Sequence, residues 1–262
     1  MRIIDCSLDS HLAREQQITL RGEEKPFTLA AEHTLSVWIN ERLAMRLTCT
    51  PEHLDELVLG RLLTEGLIRE PEEIQEIYIC EQGLRARVLM AEEAAARIVP
   101  ADADTVGTCC TDNRVLFKSA PEAPAALSPI PWTDEWLQAA PAQLQSQQPL
   151  YEATHAAHAC CLLREGRLLC CREDIGRHNA LDKVIGWAAL HGVALGQCML
   201  FTTGRLPADM VSKAIRAGVP LLASKTFPTD QGAALARQAG LTLITVRPGG
   251  KTLVWQDGRK TE

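Results

Sequence analysis

The regular alternation of short apolar runs with amphipathic segments in the last quarter of the chain most constrains its fold. Met199 to Thr202 reads as a short strand, followed by Thr203-Gly204-Arg205. Pro207 opens a helix and Gly218 ends it. Val219 to Ala223 is the next strand, followed by Ser224-Lys225-Thr226-Phe227-Pro228-Thr229. Asp230 caps a second helix that stops at Gly240, and Leu241 to Val246 is a third strand. Arg247-Pro248-Gly249-Gly250 turns the chain into a last strand, Thr252 to Gln256. Strand, helix, strand, helix, strand predicts a parallel sheet with right-handed crossovers.

Ligands of such sheets bind outside the carboxyl ends of the strands. The residues delivered there are Thr202, Thr203, Gly204 and Arg205, then Ser224, Lys225 and Thr226, then Arg247 and Gly249. Guanidinium and ammonium groups, hydroxyls and glycines together suit a phosphate-bearing ligand, a nucleotide foremost. The plainer alternative is ordinary loop polarity. Three consecutive strand ends that each offer a cation favour the site. The Rossmann glycine fingerprint and the P-loop are both absent, so this is no standard dinucleotide or NTPase site.

A second constraint is Cys170-Cys171-Arg172-Glu173-Asp174-Ile175-Gly176-Arg177-His178-Asn179-Ala180-Leu181-Asp182-Lys183, the densest run of ionisable groups in the chain. Asn179 reads as an N-cap with Asp182 three residues on. Leu181, Val184, Ile185 and Ala188 then share one helical face, and Gly192 closes the segment. Two readings compete. The loop presents chemistry at a helix N-terminus, or its charges pair with each other.

Composition narrows the class. A chain of 262 residues is one large domain or two modest ones, and 46% hydrophobic residues suffice for a core. A net charge of -6 argues against general nucleic-acid binding, which rests on phosphate neutralisation. Met1 to Ser10 is mixed and charged, without a secretory apolar region, and no apolar run is long enough to span a bilayer. The expected location is the cytosol. Ten cysteines include the pairs Cys109-Cys110, Cys160-Cys161 and Cys170-Cys171. In a reducing compartment these are core residues, metal ligands or catalytic thiols. No Cys-x-x-Cys occurs, which weakens a zinc reading. Cys170 and Cys171, ending an apolar run, read as strand residues.

The N-terminal part reads as β-rich. Leu35, Val37 and Ile39 alternate with polar neighbours, Asn40-Glu41 supplies a turn, and Leu43 to Thr48 returns. A helix follows with Thr50 as N-cap, Pro51 at its first position and Gly66 at its end. Ile74 to Cys80 and Leu84 to Leu89 form a hairpin, and Ala94 to Ala96 a short helix. Ala101 to Arg114 is small, polar and aperiodic, so it reads as a mobile loop. Two thiols there, Cys109 and Cys110, are either an incidental pair or a reactive one, since a thiolate in such a loop could reach the partner that nucleophilic or sulfur-carrying chemistry requires. Ala120 to Leu150, rich in Pro, Ala and Gln, reads as a connector with one helix, Thr133 to Gln147, interrupted near Pro141. His155 and His158, three apart, can share a helical face, but no third metal ligand stands at a convincing spacing.

These residues resemble the formate dehydrogenase accessory sulfurtransferases, the FdhD family. The resemblance is carried by Glu32-His33-Thr34-Leu35, by the run from Cys49 to Gly60, by Thr64-Glu65-Gly66 and, most specifically, by Arg172 to Gly186. Thr154-His155-Ala156-Ala157, Thr203-Gly204-Arg205, Ala217-Gly218-Val219-Pro220 and Ala239-Gly240-Leu241-Thr242-Leu243 also match. The resemblance implies an α/β protein. Its C-terminal part, 151–262, would be a cytidine-deaminase-like three-layer domain without the deaminase zinc site. A smaller β-rich α+β N-terminal domain, 1–119, would end in the Cys109-Cys110 loop, and 120–150 would connect the two. It implies a homodimer that takes persulfide sulfur from a cysteine desulfurase. The sulfur would pass to the molybdenum (or tungsten) bis-molybdopterin guanine dinucleotide cofactor destined for formate dehydrogenase.

Within that expectation Cys109, or Cys110, carries the sulfur. The family's cofactor segment falls on Thr245-Val246-Arg247-Pro248-Gly249-Gly250. Thr203, Gly204, Arg205, Ser224 and Lys225 would meet the guanine nucleotide moiety, while Asp174, Arg177 and His178 would shape the metal end. No metal of the protein's own is expected. One departure stands out. The family carries Cys-x-x-Cys in the loop, whereas here Asp112 stands where the second Cys would be and Cys110 is an added neighbour. That departure leaves room for a rival: a chaperone that delivers the pterin cofactor without carrying sulfur. A nucleotide deaminase would need His-x-Glu and Pro-Cys-x-x-Cys, and neither is present.

Overall fold

The computed structural model describes residues 1–7, 11–20, 23–80, 82–100, 114–115, 117–119, 127–247 and 250–259. The first half contains β1 (Arg2–Asp5), β2 (Ala13–Leu20), β3 (Glu23–Ala30), β4 (His33–Ile39), β5 (Arg42–Cys49), α1 (Leu54–Thr64), β6 (Ile74–Ile79), β7 (Arg85–Met90), α2 (Glu92–Ala95), β8 (Ile98–Pro100), β9 (Arg114–Val115) and β10 (Phe117–Ser119). The second contains α3 (Asp134–Gln145), α4 (Pro149–Thr154), β11 (His158–Arg164), β12 (Arg167–Asp174), α5 (Arg177–Leu190), β13 (Met199–Thr202), α6 (Ala208–Arg216), β14 (Leu221–Ser224), α7 (Asp230–Ala239), β15 (Thr242–Arg247) and β16 (Lys251–Gln256).

Two six-stranded sheets dominate. The first runs β1-β6-β7-β4-β5-β9. Asn40 and Glu41 both take positive φ in the β4–β5 turn, which suits a tight hairpin between twisted strands. Leu35, Val37 and Ile39 alternate inward, as expected from sequence, and α1 buries Leu54, Leu57, Val58 and Leu62 against that face. The second sheet runs β12-β11-β13-β14-β15-β16. β13, β14 and β15 are parallel, as the helix crossovers require. The sheet as a whole is mixed, because β11, β12 and β16 join it antiparallel. β11 turns into β12 through Glu165 and Gly166, both at positive φ, and a turn that short cannot make a crossover.

Helices cover both faces of the second sheet. On one side α5, α6 and α7 place Leu181, Val184, Met210, Val211 and Ala236 against Cys160, Leu162, Leu200 and Leu222. On the other, α3 places Leu137, Ala140 and Leu144 against Cys161, Leu163, Phe201 and Ile244. Thr133 caps α3 by accepting from the Trp136 N–H. The helix runs unbroken through Pro141, contrary to the interruption expected there, at the loss of one backbone bond.

Several helix starts differ from the sequence reading. α1 begins at Leu54 behind His53, whose φ of 53° is left-handed, and not at Thr50-Pro51. α5 begins at Arg177 with Gly176 as N-cap, so Asn179 lies inside the helix. Thr229, not Asp230, caps α7 by accepting from the Gly232 N–H. His155 ends α4 in a left-handed conformation and His158 begins β11, so the two share no helical face.

The halves join where α1 crosses α5. A Cβ on Gly60 would lie 1.8 Å from the Asp182 carbonyl oxygen, and one on Gly186 would lie 1.8 Å from that of Glu56. Only backbone fits at this crossing. Gly186→Ala therefore forces the helices apart. We expect a loss of roughly 1–3 kcal/mol or more in urea unfolding, the usual cost of overpacking; an unchanged midpoint would contradict the crossing.

Candidate functional site

The polar run between β12 and α5 divides into two sets. One is structural. The Asp174 carboxylate is fully buried and accepts from the Thr50 N–H at 3.0 Å, the Thr50 hydroxyl at 3.0 Å, the Gly176 N–H at 2.9 Å and the Asn179 amide at 2.9 Å. Lys183 Nζ lies 2.8 Å from it and donates to Thr50 Oγ1 at 2.6 Å. Here is why Thr50 does not cap α1 and Asn179 does not cap α5. Both spend their polar groups on this one carboxylate and its surroundings. One turn on, Asp182 receives Arg61, Thr64 and Lys213 at 3.2, 2.6 and 3.0 Å. Arg172 grips Glu56 through two bonds of 2.6 and 2.7 Å. Burial pushes the Glu65 carboxyl up, but Lys213 and Arg61 outweigh it and hold it down at about 2.

The other set faces the carboxyl edge of the second sheet. β12 and β13–β15 end there, and antiparallel β11 begins there with His158 opposite Asp174. Thr203 Oγ1 accepts from the Ala159 N–H at 3.0 Å and lies 3.2 Å from His158 Nδ1. The Gly204 carbonyl accepts from the Ser224 and Thr226 hydroxyls, each at 2.7 Å, so the loops after β13 and β14 brace each other. Gly204 has no side chain for a reason: a Cβ there would lie 2.9 Å from the Cβ of Arg177. His178 is buried with Nε2 3.0 Å from an Asp209 carboxylate oxygen on α6.

Exposed cations and rings complete the edge. Arg205, Lys225 and Arg247 reach solvent. Lys225 Nζ sits 5.9 Å from the Tyr151 ring and the Arg247 guanidinium 5.7 Å from that of Phe227. Phe227 meets Trp255 edge to face at 5.4 Å, and the Trp255 indole N–H donates to Thr245 Oγ1 at 2.9 Å. Thr245 in turn donates to the Thr226 carbonyl at 2.9 Å. A shelf of guanidinium, ammonium, hydroxyl and aromatic groups can hold the phosphates and the base of a nucleotide.

Of the residues expected from sequence, Thr203, Gly204, Arg205, Ser224, Lys225, Arg177 and Arg247 share this edge. Thr245 and Val246 are buried just beneath it, and Gly250 lies in the turn after Arg247. Asp174 adjoins the edge, but its oxygens hold the turn. Cys109, Cys110, Pro248 and Gly249 lie outside the described residues. Tyr151, Phe227 and Trp255 join the edge as ring contributors, and Asp209 as the partner of His178, beyond the residues expected from sequence. Phe227 stood inside a strand-end segment and was detectable; Tyr151 and Trp255 arrive from elements whose placement only the fold reveals.

The chain belongs to the FdhD/NarQ family, whose model matches residues 30–261. Its relatives include the sulfur carrier protein FdhD of Mycobacterium tuberculosis (32% identical over 263 residues, 94% of each chain). The sulfur carrier protein FdhD of Bacillus pumilus is 30% identical over 236 residues, covering 89% of this chain and 88% of that one. Among solved structures, a proposed formate dehydrogenase accessory protein from Desulfotalea psychrophila superposes with a TM-score of 0.74 at 28% identity, over 94% of this chain and 97% of that one. No helix among the described residues is long and apolar enough to cross a membrane.

The site carries a pH signature. Burial, then the charges of Arg177 and Lys225, push His158 below the ordinary histidine range. A histidine depressed in the folded state stabilises the fold fully above its unfolded pKa, and that contribution fades as pH falls below it. NMR titration should give His158 a midpoint below about 6.5, moving up in a Lys225→Ala variant; a midpoint above that value would contradict the geometry.

Proposed function

We propose that this chain is a sulfur carrier that serves formate dehydrogenase maturation. Cys109, or its neighbour Cys110, accepts sulfur from the persulfide of a cysteine desulfurase. The acceptor thiolate attacks the outer sulfur, the desulfurase thiol leaves, and the carrier holds a persulfide. The sulfur then passes to a molybdenum (or tungsten) bis-molybdopterin guanine dinucleotide, which is substrate and not a resident cofactor. Arg205, Lys225 and Arg247 would balance its phosphates, with Ser224 and Thr226 bracing the loops that carry them. Arg177 and His178 would face its metal end. A homodimer and a cytidine-deaminase-like ancestry for the second half belong to the same reading. The mixed sheet with helices on both faces supports the second of these.

The observation that carries the proposal is the convergence of three cationic strand ends on one edge lined by aromatic rings. Two further facts favour it. β9 runs antiparallel to β5, so its amino end lies toward the end of β5 where Thr50 meets Asp174. Four residues lie between Cys109 and Arg114, and five chain steps span at most about 17 Å. Burial also pushes Cys49 and Cys170 up to about 12 and Cys160 well above the ordinary thiol range, which makes these three poor nucleophiles. The chaperone reading survives on one observation, Asp112 in place of the second family cysteine.

Intact-mass spectrometry after incubation with a cysteine desulfurase and cysteine separates the two. The carrier gains sulfur, and a Cys109→Ala, Cys110→Ala variant does not; no sulfur on the wild type leaves the chaperone, and undiminished loading of that variant removes Cys109 and Cys110 as the carriers. In calorimetry, Lys225→Ala and Arg247→Ala should each weaken guanosine diphosphate roughly tenfold, about 1.4 kcal/mol, and added salt should narrow the gap.

A further inference from the structure

We propose that Cys161 and Cys171 form a redox-active thiol pair that closes reversibly to a disulfide across the β11–β12 hairpin. The two residues stand directly opposite each other in the antiparallel register. Directly opposed residues place their Cα atoms about 4.5–5.5 Å apart, inside the range of about 4.4–6.8 Å that a disulfide spans. Their Sγ atoms are 2.7 Å apart, a short approach from the roughly 2.05 Å of a disulfide. Both are free thiols in this structure.

The neighbouring cysteines set this pair apart. Cys160 is opposite Arg172 and Cys170 is opposite Leu162, so neither has a thiol facing it across the ladder. Both pack on the α5–α7 face, whereas Cys161 and Cys171 lie on the α3 face. Access differs within the pair as well. Cys161 is fully buried on an inner strand, while Cys171 is half-buried on β12, the edge strand of the sheet. The hydrogen bond to Cys171, then burial, push the Cys161 thiol up; Cys171, half-buried on the edge strand, is the thiol that an external disulfide can reach.

The chemistry balances with a small-molecule disulfide as oxidant. The Cys171 thiolate attacks one sulfur of that disulfide and expels a thiol, leaving a mixed disulfide on Cys171. Cys161 then attacks Cys171 Sγ and passes its proton to the departing thiolate, so that the second thiol leaves neutral. Two protein thiols are oxidised and one external disulfide is reduced. The bond would tie β11 to β12 three residues from His158 and three from Asp174, clamping the strands that carry both to the sheet edge. This inference does not depend on which thiol carries sulfur.

The test uses the full chain equilibrated with oxidised glutathione. Remaining thiols are blocked with N-ethylmaleimide in denaturant, and unreduced tryptic peptides are read by mass spectrometry. The peptide ending at Arg164 should be bridged to Leu168–Arg172, with the loss of two alkylation sites and full recovery after reduction. The bridge should persist in a Cys160→Ala, Cys170→Ala variant and vanish in Cys171→Ser. Complete alkylation of both peptides in the oxidised wild type, or a bridge that survives Cys171→Ser, overturns the proposal. Cys171→Ser alters a half-buried edge position, so this arm decides even if the double variant does not fold.

Discussion

The close crossing of α1 and α5 holds one sheet to the other, and the rest of the structure depends on it. At Gly60 and Gly186 each helix presses its backbone on the other, with no room for a methyl group. Around that contact lie charges that apolar burial alone would not tolerate. Asp174 with Lys183, and Asp182 with Arg61 and Lys213, are almost wholly removed from water. Taking such ions out of water costs several kcal/mol each, regained only when geometry and partners are complete. The partners come from both halves of the chain. The network thus specifies one way of joining the halves rather than adding a generic stickiness.

That specificity reaches the edge of the second sheet. Asp174 gathers Thr50 from the first half and Gly176 and Asn179 from the second. It thereby fixes the turn from β12 into α5, and with it Arg177 and His178 at the edge of the second sheet. The other edge residues need no such anchor. They follow from strand topology, which brings the ends of β13, β14 and β15 into line, and from hydroxyls that tie one loop to the next. The edge is built by two separate means, an ionic clamp on one side and a run of parallel strands on the other.

The parallel strands were legible in the sequence because their apolar runs are short, regular and punctuated by Gly218 and Gly240. The cations at their ends were legible for the same reason. The clamp was not. Asp182 and Lys183 look like the polar face of an amphipathic helix, and nothing local says that α1 will cover that face. The misplaced caps share this origin. Thr50 and Asn179 carry good capping side chains, but a buried carboxylate distant in sequence outcompetes the local backbone for them. Tyr151 and Trp255 were silent because a ring on an edge strand or short helix is informative only once its neighbours are known. The charged run pairs in part with itself, Asp174 with Lys183, while Arg177 packs against Gly204 at the edge and His178 meets Asp209.

On the proposed function, a nucleotide sits on the cationic edge of the second sheet within reach of the thiol segment. A crystal structure of the chain with guanosine diphosphate addresses this most directly. The account predicts phosphates against Lys225, Arg247 or Arg205, the base beside Phe227 and Trp255, and an open path from the ligand to Cys109. A nucleotide seated elsewhere, or one on this edge with every path to Cys109 closed, would contradict it.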